Sequence, residues 1–329
     1  MQQDEQPAGR FALRRAPWAL LTVGVGLACA ASALPFLARA WWALELTCHF
    51  RMHYFLFLAP ASVLLLIGRK PRRAALAGAF ALLNLALIVP VYAGGPPPDA
   101  SGTACRVLWI NVHRFNTRYE EVRRFIGEAD ADVVAIAEVN AAWMRELAPL
   151  IEQYPTFVAL PAESSFGIML MSRLPLKDAH IQLLSTDGGA RPGTPCTVAH
   201  LELDGREVLL LGVHVVPPMS SSSAARRNDG LKEVAALARG EHSEVVIMGD
   251  LNATPWSPYF TELLRAGGLR DSRRGFGIHA TWPAPFGVLG IPIDHCLVSP
   301  GVVVRDRRVG PQVGSDHRPL MVDFSLAAP

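Results

Sequence analysis

The segment VVIMGDLNATPWSP, residues 245–258, carries the pattern on which the fold prediction rests. Its apolar residues run into Gly249 and predict a buried strand, after which two prolines predict a loop. Asp250 and Asn252 stand where that strand ends. Because side chains alternate along an extended chain, we expect both to point to one side, with Leu251 turned into the core. The segment therefore predicts a strand that presents two polar groups together.

Polar residues end other apolar runs of the chain in the same way. They are Asn111, Glu138, His214, Asp294 and the pair Asp316 and His317. Each one alone is typical of a helix cap or a turn. Because the strand ends of one sandwich meet at a common rim, the whole set predicts a shared site.

The region that holds these residues alternates between short β-branched runs and amphipathic patterns. Runs such as CRVLWINV and DVVAIAEV predict strands. Predicted helices lie near residues 118–128, 141–152, 224–238 and 258–266. Turn signals such as Asp204-Gly205 indicate antiparallel as well as parallel pairing, so the predicted class is α/β with sheets packed inside helices. We predict a surface loop at Ser220–Ser223.

The chemistry of the polar set favours a metal-assisted reaction on phosphate. Oxygens of Asn, Asp and Glu are suited to Mg²⁺ or Mn²⁺, which keep positions open for phosphate oxygens. Histidines outside the metal shell can stabilise charge on a phosphoryl group while water attacks, and a nearby aspartate favours the imidazolium. The sequence has no G-x-S-x-G motif of the serine hydrolases. Phosphoester hydrolysis is therefore the predicted reaction.

In its order along the chain, the set resembles the motifs of the endonuclease/exonuclease/phosphatase superfamily, the DNase I-like fold. The motifs that carry the resemblance are GDLNATP (249–255), SDH (315–317), Asn111, Glu138, His214 and Asp294. It covers roughly Cys105 to Phe324. The resemblance implies a four-layer α/β fold, in which a two-sheet β-sandwich is flanked by helices, and a divalent-metal hydrolase.

The resemblance also implies a metal site centred on Glu138. Glu138 would be the principal ligand of Mg²⁺ or Mn²⁺, with Asn111 and Asp316 close to the ion. The sequence departs from the family pattern at Ala137, where a glutamine is common, and at His113, where some nucleases have an aspartate. Both departures argue against the DNA-repair-nuclease branch.

The remaining catalytic roles are also implied by the resemblance. Asp250 would orient or deprotonate the attacking water, and Asn252 would hold the phosphate. His317, steered by Asp294, and His214 would stabilise the pentavalent phosphorus.

Three nearly charge-free runs precede this domain, at residues 17–37, 53–68 and 74–92. Each is close to the roughly 20 residues that a helix needs to cross a bilayer. Basic residues before the first run and between the second and third place the N-terminus and that loop in the cytoplasm. The alternative for the first run is a signal peptide cleaved near Ala38-Arg39-Ala40. Both interpretations place the following domain outside the cytoplasm, at the cell membrane.

The predicted organisation has four parts. They are a basic cytoplasmic tail (1–16), a transmembrane anchor of three helices (17–92), a Pro/Gly linker (93–103) and an extracytoplasmic domain (104–329). Residues 1–100 hold nine basic and four acidic residues, whereas residues 101–329 hold 22 basic and 25 acidic residues. The domain therefore lacks the basic surplus typical of nucleic-acid binders, which argues against nucleic acid as its partner.

The cysteines of the domain do not form a recognisable framework. Cys105, Cys196 and Cys296 are widely spaced, with no C-x-x-C and no zinc-ligand spacing. We predict isolated buried thiols, and the extracytoplasmic setting leaves a disulfide open.

The predicted substrate is a phosphate ester of the cell envelope. The three-span anchor, HVVPP (214–218) and NATPWS (252–257) resemble a membrane-bound bacterial branch of the family, some of whose members are called teicoplanin-resistance proteins. This resemblance indicates lipid or polyprenyl phosphates. The apolar segment Thr281–Pro292 is suited to meet an acyl or prenyl chain, or alternatively to cover the edge of the core. The residues predicted to bind substrate are Trp256, Arg227 and Trp282.

Three functions are consistent with these features. The first is an extracytoplasmic, metal-dependent phosphoesterase acting on such lipids, with the bilayer as its surroundings and no obligate protein partner. The second is a membrane-tethered endonuclease or exonuclease. The third is a binding module that kept the fold without catalysis, which the intact catalytic set disfavours.

Overall fold

The computed structural model describes residues 8–94, 102–186 and 191–328. It contains two compact units, Met1–Val89 and Pro90–Pro329. The predicted linker falls mostly on residues 95–101, which lie outside the described part. The first unit is helical, with α1 (Ala8–Ala33), α2 (Trp42–Leu46), α3 (Arg51–Ile67) and α4 (Pro71–Ile88).

Three segments of the first unit are long and apolar enough to cross a membrane. They are Ala16–Leu37, Trp42–Ile67 and Pro71–Val91. They coincide with the three charge-free runs, and Pro60 lies inside α3 without ending it. The chain therefore has the apolar helices that the predicted anchor requires, although α1 begins at Ala8, inside the predicted tail.

A buried polar network joins the three long helices of this unit. The Arg51 guanidinium donates to the Ser32 carbonyl oxygen at 2.6 Å and to Asn84 Oδ1 at 3.2 Å. Asn84 Nδ2 donates in turn to Ser32 Oγ at 2.9 Å. Polar groups placed among apolar helices must satisfy one another, so these bonds select one arrangement of the helices.

The second unit is built on two mixed six-stranded sheets. In spatial order, the first sheet contains β11 (Val302–Val309), β12 (Leu320–Leu326), β1 (Cys105–Asn111), β2 (Val133–Ala137), β4 (Ile168–Ser172) and β3 (Thr156–Leu160). The second sheet contains β5 (Leu176–Thr186), β6 (Arg191–Leu203), β7 (Arg206–His214), β8 (Glu244–Asp250), β10 (Asp294–Val298) and β9 (Arg270–Asp271). The helices are α5 (Tyr119–Ala129), α6 (Ala141–Ile151), α7 (Ser221–Gly240) and α8 (Pro258–Gly267).

Strand alternation explains the layers. Val107 and Trp109 of β1 belong to the core between the two sheets, whereas Leu108 and Ile110 belong to the core beneath α5 and α6. A third core lies between the second sheet and the helices α7 and α8. Because the central strands are covered on both faces, they are continuous apolar runs instead of alternating ones. The predicted four-layer sandwich is confirmed.

Two local predictions need correction. The strand β5 was not predicted, because its sequence LKDAHIQLLST mixes polar and apolar residues, as expected for a strand at the edge of a sheet. Ser220–Ser223 is not a loop but the start of α7. Ser220 is the N-cap, and its side chain and that of Ser223 bond reciprocally to each other's backbone N–H groups. Serine satisfies the unpaired N–H groups of a helix end, which explains the tract.

Candidate active site

The register of the second sheet aligns three of the predicted residues in one row. His214 of β7 is the parallel partner of Asp250 on β8, and Asp294 of β10 is its antiparallel partner. Residues in register on neighbouring strands point to the same face. Gly249 makes this close row possible, since a Cβ at that position would overlap the Val213 carbonyl group.

The other predicted residues lie on the first sheet, at the strand ends that face this row. Asn111 ends β1 opposite Ala137, the residue before Glu138. The segment before β12 lies at the same edge, because the Ser315 hydroxyl donates to the Asn111 carbonyl oxygen at 2.6 Å. The His317 N–H donates to Ser315 Oγ at 3.0 Å, which places His317 within this edge.

The geometry of Asn252 differs from the prediction. The strand ends at Asp250, and Asn252 has a left-handed backbone with φ of 46°. Its N–H donates to Asp250 Oδ1 at 3.0 Å, and its side-chain amide donates to the Val215 carbonyl oxygen at 2.9 Å. The two side chains are therefore neighbours through an Asx-type turn, which asparagine and aspartate favour, and not through alternation along a strand.

His317 and Asp294 form a buried charged pair. His317 Nδ1 lies 2.8 Å from Asp294 Oδ2, and Trp109 Nε1 donates to the other carboxylate oxygen at 2.7 Å. Burial alone would lower the pKa of His317, but the carboxylates of Asp294 and Asp250 outweigh it and raise the pKa to about 10. Burial would raise the pKa of Asp294, but the charge of His317 and the hydrogen bonds it receives lower it. At neutral pH, His317 is therefore an imidazolium.

Asp250 stands between the two histidines. Its Oδ2 lies 3.6 Å from His214 Nε2 and 3.7 Å from His317 Nε2. Burial raises the pKa of Asp250 to about 8, with the His317 charge opposing the rise. Burial also lowers the pKa of His214, so this imidazole is neutral at pH 7. The row thus combines a neutral imidazole, a charged imidazolium and a carboxyl group that becomes a proton acceptor as the pH rises towards 8.

Glu138 and Asn111 present hard oxygen ligands at the facing edge. Asn111 Nδ2 donates to Glu138 Oε1 at 3.2 Å, and the Arg114 N–H donates to Glu138 Oε2 at 3.1 Å. Glu138 and His113 both have left-handed backbones, with φ of 63° and 56°. Non-glycine residues in this conformation are uncommon and often mark functional sites. Asp316 is positioned separately, since Trp282 Nε1 donates to its Oδ2 at 3.1 Å.

A second acidic group in the described residues also has the composition of a metal site. Ligand atoms of Asp250, Asp294 and His317 lie within 4.8 Å of one another. A protonated His317 has no lone pair for a metal, however, which leaves this group with two carboxylates. Glu138, Asn111 and Asp316 instead offer three side chains with oxygen atoms, the ligands that hard divalent cations prefer.

The three residues predicted to bind substrate have different surroundings. Trp256 is half-buried, just beyond the turn that holds Asn252. Trp282 is half-buried and supports Asp316 through its indole N–H. Arg227 of α7 is fully buried, and its guanidinium donates to the Asn252 carbonyl oxygen at 2.8 Å. In this structure Arg227 therefore contacts the loop behind the site.

We expect replacement of Arg227 by methionine to weaken the turn that carries Asn252. The loss of the charged hydrogen bond should lower the free energy of unfolding by about 1.5–3 kcal/mol. Thermal unfolding of the full chain in detergent measures the change. Lys232 is exposed on the same helix. Its replacement by methionine is the matched control, with an expected effect within about 0.5 kcal/mol. Equal effects of the two replacements would contradict the support of the turn by Arg227.

The supporting residues Trp109, Thr281 and Ser315 were not predicted. Trp109 lies on the same face of β1 as Asn111, and a buried indole N–H needs an acceptor. Its position in the sequence therefore indicated a polar partner near the site. Its acceptor is Asp294, 185 residues away in the sequence. Thr281 Oγ1 accepts from the Asp294 N–H at 3.2 Å. Such partners become identifiable only when the two sheets are placed face to face.

The geometry agrees with comparisons to known proteins. Residues 108–317 match the family model of the Endonuclease/Exonuclease/phosphatase family. Comparison with curated protein sequences finds no match. The solved endonuclease/exonuclease/phosphatase from Bacteroides vulgatus aligns with 68% of this chain and 99% of that chain, at 17% identity and a TM-score of 0.57.

Two further solved structures share the fold at similar identity. The human Nocturnin catalytic domain with bound sulfate anion aligns with 69% of this chain and 97% of that chain, at 17% identity and a TM-score of 0.56. The D. rerio TDP2 complexed with single strand DNA product aligns with 68% and 99%, at 17% identity and a TM-score of 0.55. With the family match over 108–317, the chain belongs to the endonuclease/exonuclease/phosphatase family.

Proposed function

We propose that the protein is a membrane-anchored, divalent-metal-dependent phosphoesterase that acts outside the cytoplasm on a lipid or polyprenyl phosphate. The observation that carries the proposal is the position of Asp250. Its carboxylate faces a charged and a neutral histidine at 3.7 and 3.6 Å. This is the arrangement required to take a proton from water while a phosphoryl group is held and its charge stabilised.

Glu138, Asn111 and Asp316 would hold Mg²⁺ or Mn²⁺, which when bound supplies Lewis-acid stabilisation of phosphate oxygens. Asp250 accepts the proton of the attacking water. The Asn252 amide has a second N–H available besides the one bonded to Val215, and this hydrogen holds the phosphate. His317 keeps its charge through Asp294 and stabilises the negative charge that develops at phosphorus.

Several features support a lipid substrate. The chain carries three helices that are able to span a bilayer. Residues 101–329 have an excess of acidic residues, which disfavours DNA.

The sulfate anion in the Nocturnin structure is a tetrahedral oxyanion like a phosphate, so it agrees with phosphate chemistry and does not identify an ester. The TDP2 complex with single strand DNA product keeps a nuclease as the second candidate.

A substrate screen with the purified full chain tests the function. We expect release of phosphate from lipid or polyprenyl phosphates with Mg²⁺ or Mn²⁺, complete loss in excess chelator, and intact oligonucleotide and plasmid DNA at near-physiological salt. Activity that persists in chelator would contradict metal dependence. Cleavage of DNA with inert lipids would establish the nuclease instead. Bound metal without turnover of any phosphoester would establish a binding module.

A further inference from the structure

Exposed apolar side chains of the second unit are concentrated near the candidate active site. Eight large apolar side chains beyond residue 102 are exposed in the described part of the chain. Five of them lie in segments that are close in sequence to site residues: Phe115 and Met219 in loops, and Phe286, Val288 and Leu289 in a short helical turn. Val288 is 85% exposed and Met219 80%. Large apolar side chains exposed in segments that carry site residues are typical of an interaction surface.

The segment that carries three of these side chains is attached directly to Asp316. The Ala284 N–H donates to the Asp316 carbonyl oxygen at 2.7 Å, and Trp282 contacts the Asp316 carboxylate. The base of the segment is closed by pairing of Trp282 with Ile291. Phe286, Val288 and Leu289 are therefore presented from a short helical turn held at the rim of the site.

The other two side chains flank the site on different loops. Phe115 follows Arg114, whose N–H holds Glu138 and whose guanidinium stacks 4.1 Å from the Phe115 ring centre. Met219 lies in the loop that follows His214. Each of the three loops thus joins an exposed apolar side chain to a residue of the candidate site.

A bilayer is the apolar phase to which the three candidate spans would tether the second unit. Residues 92–104 connect the last candidate span to β1, and a chain of that length reaches at most about 45 Å. The segment Thr281–Pro292 contains no charged residue, so its insertion removes no charge from water. Arg114 at the rim suits the phosphate groups of lipid heads.

We propose that Phe115, Met219, Phe286, Val288 and Leu289 form a docking rim that enters the outer-leaflet interface, so that the active site opens onto the lipid head groups. The docking itself is independent of catalysis. The consequence for substrate choice rests on the proposed function, because it assumes that a lipid phosphate is hydrolysed. The substrate is then taken from the plane of the membrane and not from solution.

Spin labelling of the full chain in nanodiscs of phosphatidylethanolamine and phosphatidylglycerol tests the docking. All five native cysteines are buried, so a label attaches selectively to Val288→Cys. Glu207→Cys, exposed at the opposite end of β7 from His214, is the control. We expect the label at 288 to be accessible to oxygen and shielded from a water-soluble nickel chelate, relative to 207. Equal exposure of both labels to the chelate would overturn the proposal.

Activity measurements then separate docking from catalysis. The triple variant Phe286→Ser, Val288→Ser and Leu289→Ser should lose at least tenfold in turnover of a lipid phosphate in vesicles. Its turnover of a water-soluble phosphoester should stay unchanged. A shielded label together with inert lipids would contradict only the proposed function, whereas unchanged turnover of vesicle lipid by the triple variant would contradict the role of the rim.

Discussion

Replacing Glu138 with glutamine is expected to reduce turnover by at least about 10³-fold, since a bound cation contributes several kcal/mol to the stabilisation of the transition state. Glutamine has the same shape and keeps an oxygen for the Arg114 N–H, but it lacks the charge that binds a divalent cation. The fold should persist, because the side chain is only half-buried at the edge of the sheet. Turnover at saturating Mg²⁺ measures the loss of activity. Titration with Mn²⁺, followed by electron paramagnetic resonance, measures the accompanying loss of metal affinity.

A nearby carboxylate provides the control for this replacement. Glu163 is exposed, and its side chain accepts from the Ala141 N–H at 3.4 Å, whereas the backbone of Glu163 accepts from Arg114. Glu163→Gln should leave turnover and Mn²⁺ affinity within twofold of the unaltered protein. Normal turnover of Glu138→Gln at low Mg²⁺ would exclude Glu138 as the principal ligand.

Replacing Asp250 with asparagine is expected to lower turnover by about 10²- to 10⁴-fold, the usual contribution of a positioned general base. Asparagine retains an oxygen for the Asn252 N–H but does not accept a proton from water. Because Asp250 lies close to both histidines, the replacement also removes the negative charge that they share. The loss should appear in kcat with little change in Mn²⁺ affinity, which distinguishes it from Glu138→Gln. Loss of Mn²⁺ binding in this variant would instead make Asp250 a ligand.

The same side chain predicts the pH dependence of the reaction. With a pKa of about 8, Asp250 must lose its proton before it accepts one, so kcat/KM should rise about tenfold per pH unit below pH 8. With a pKa of about 10, His317 should lose its charge at higher pH, so the rate should fall again. Asp250→Asn should lose the rising limb and move the fall to lower pH, because the Asp250 charge helps to raise the pKa of His317. An unchanged rising limb would assign it to another group.

The two histidines differ in protonation state, although each was predicted from the same kind of sequence pattern, a polar residue at the end of an apolar run. His317 faces the carboxylates of Asp294 and Asp250 and is held as an imidazolium. His214 packs near the ring of Phe166, at 5.8 Å between ring centres, and burial keeps it neutral. One histidine therefore contributes a full positive charge, whereas the other contributes a neutral hydrogen-bonding group. Only the partners of each side chain decide this difference.

Much of the fold followed from local patterns. The run CRVLWINV becomes β1, and the amphipathic pattern at 118–128 becomes α5 over Tyr119–Ala129. These predictions succeed because apolar periodicity reflects which face an element buries. The pattern did not predict β5, because a strand at the edge of a sheet buries fewer side chains and therefore contains fewer apolar residues. It also missed the start of α7 at Ser220–Ser223, where a polar tract forms a helix cap.

The sequence by itself determined the residue types of the site and the strand ends on which they stand. The order Asn111, Glu138, His214, Asp250, Asp294 and His317 was sufficient to predict a hard-ligand phosphoesterase. Only the tertiary structure decided which groups meet. It pairs Asp294 with His317 and Trp109, and turns Asn252 back onto Asp250. The physical reason is that protonation state and orientation depend on burial and on partners distant in sequence, and these exist only once the two sheets are packed together.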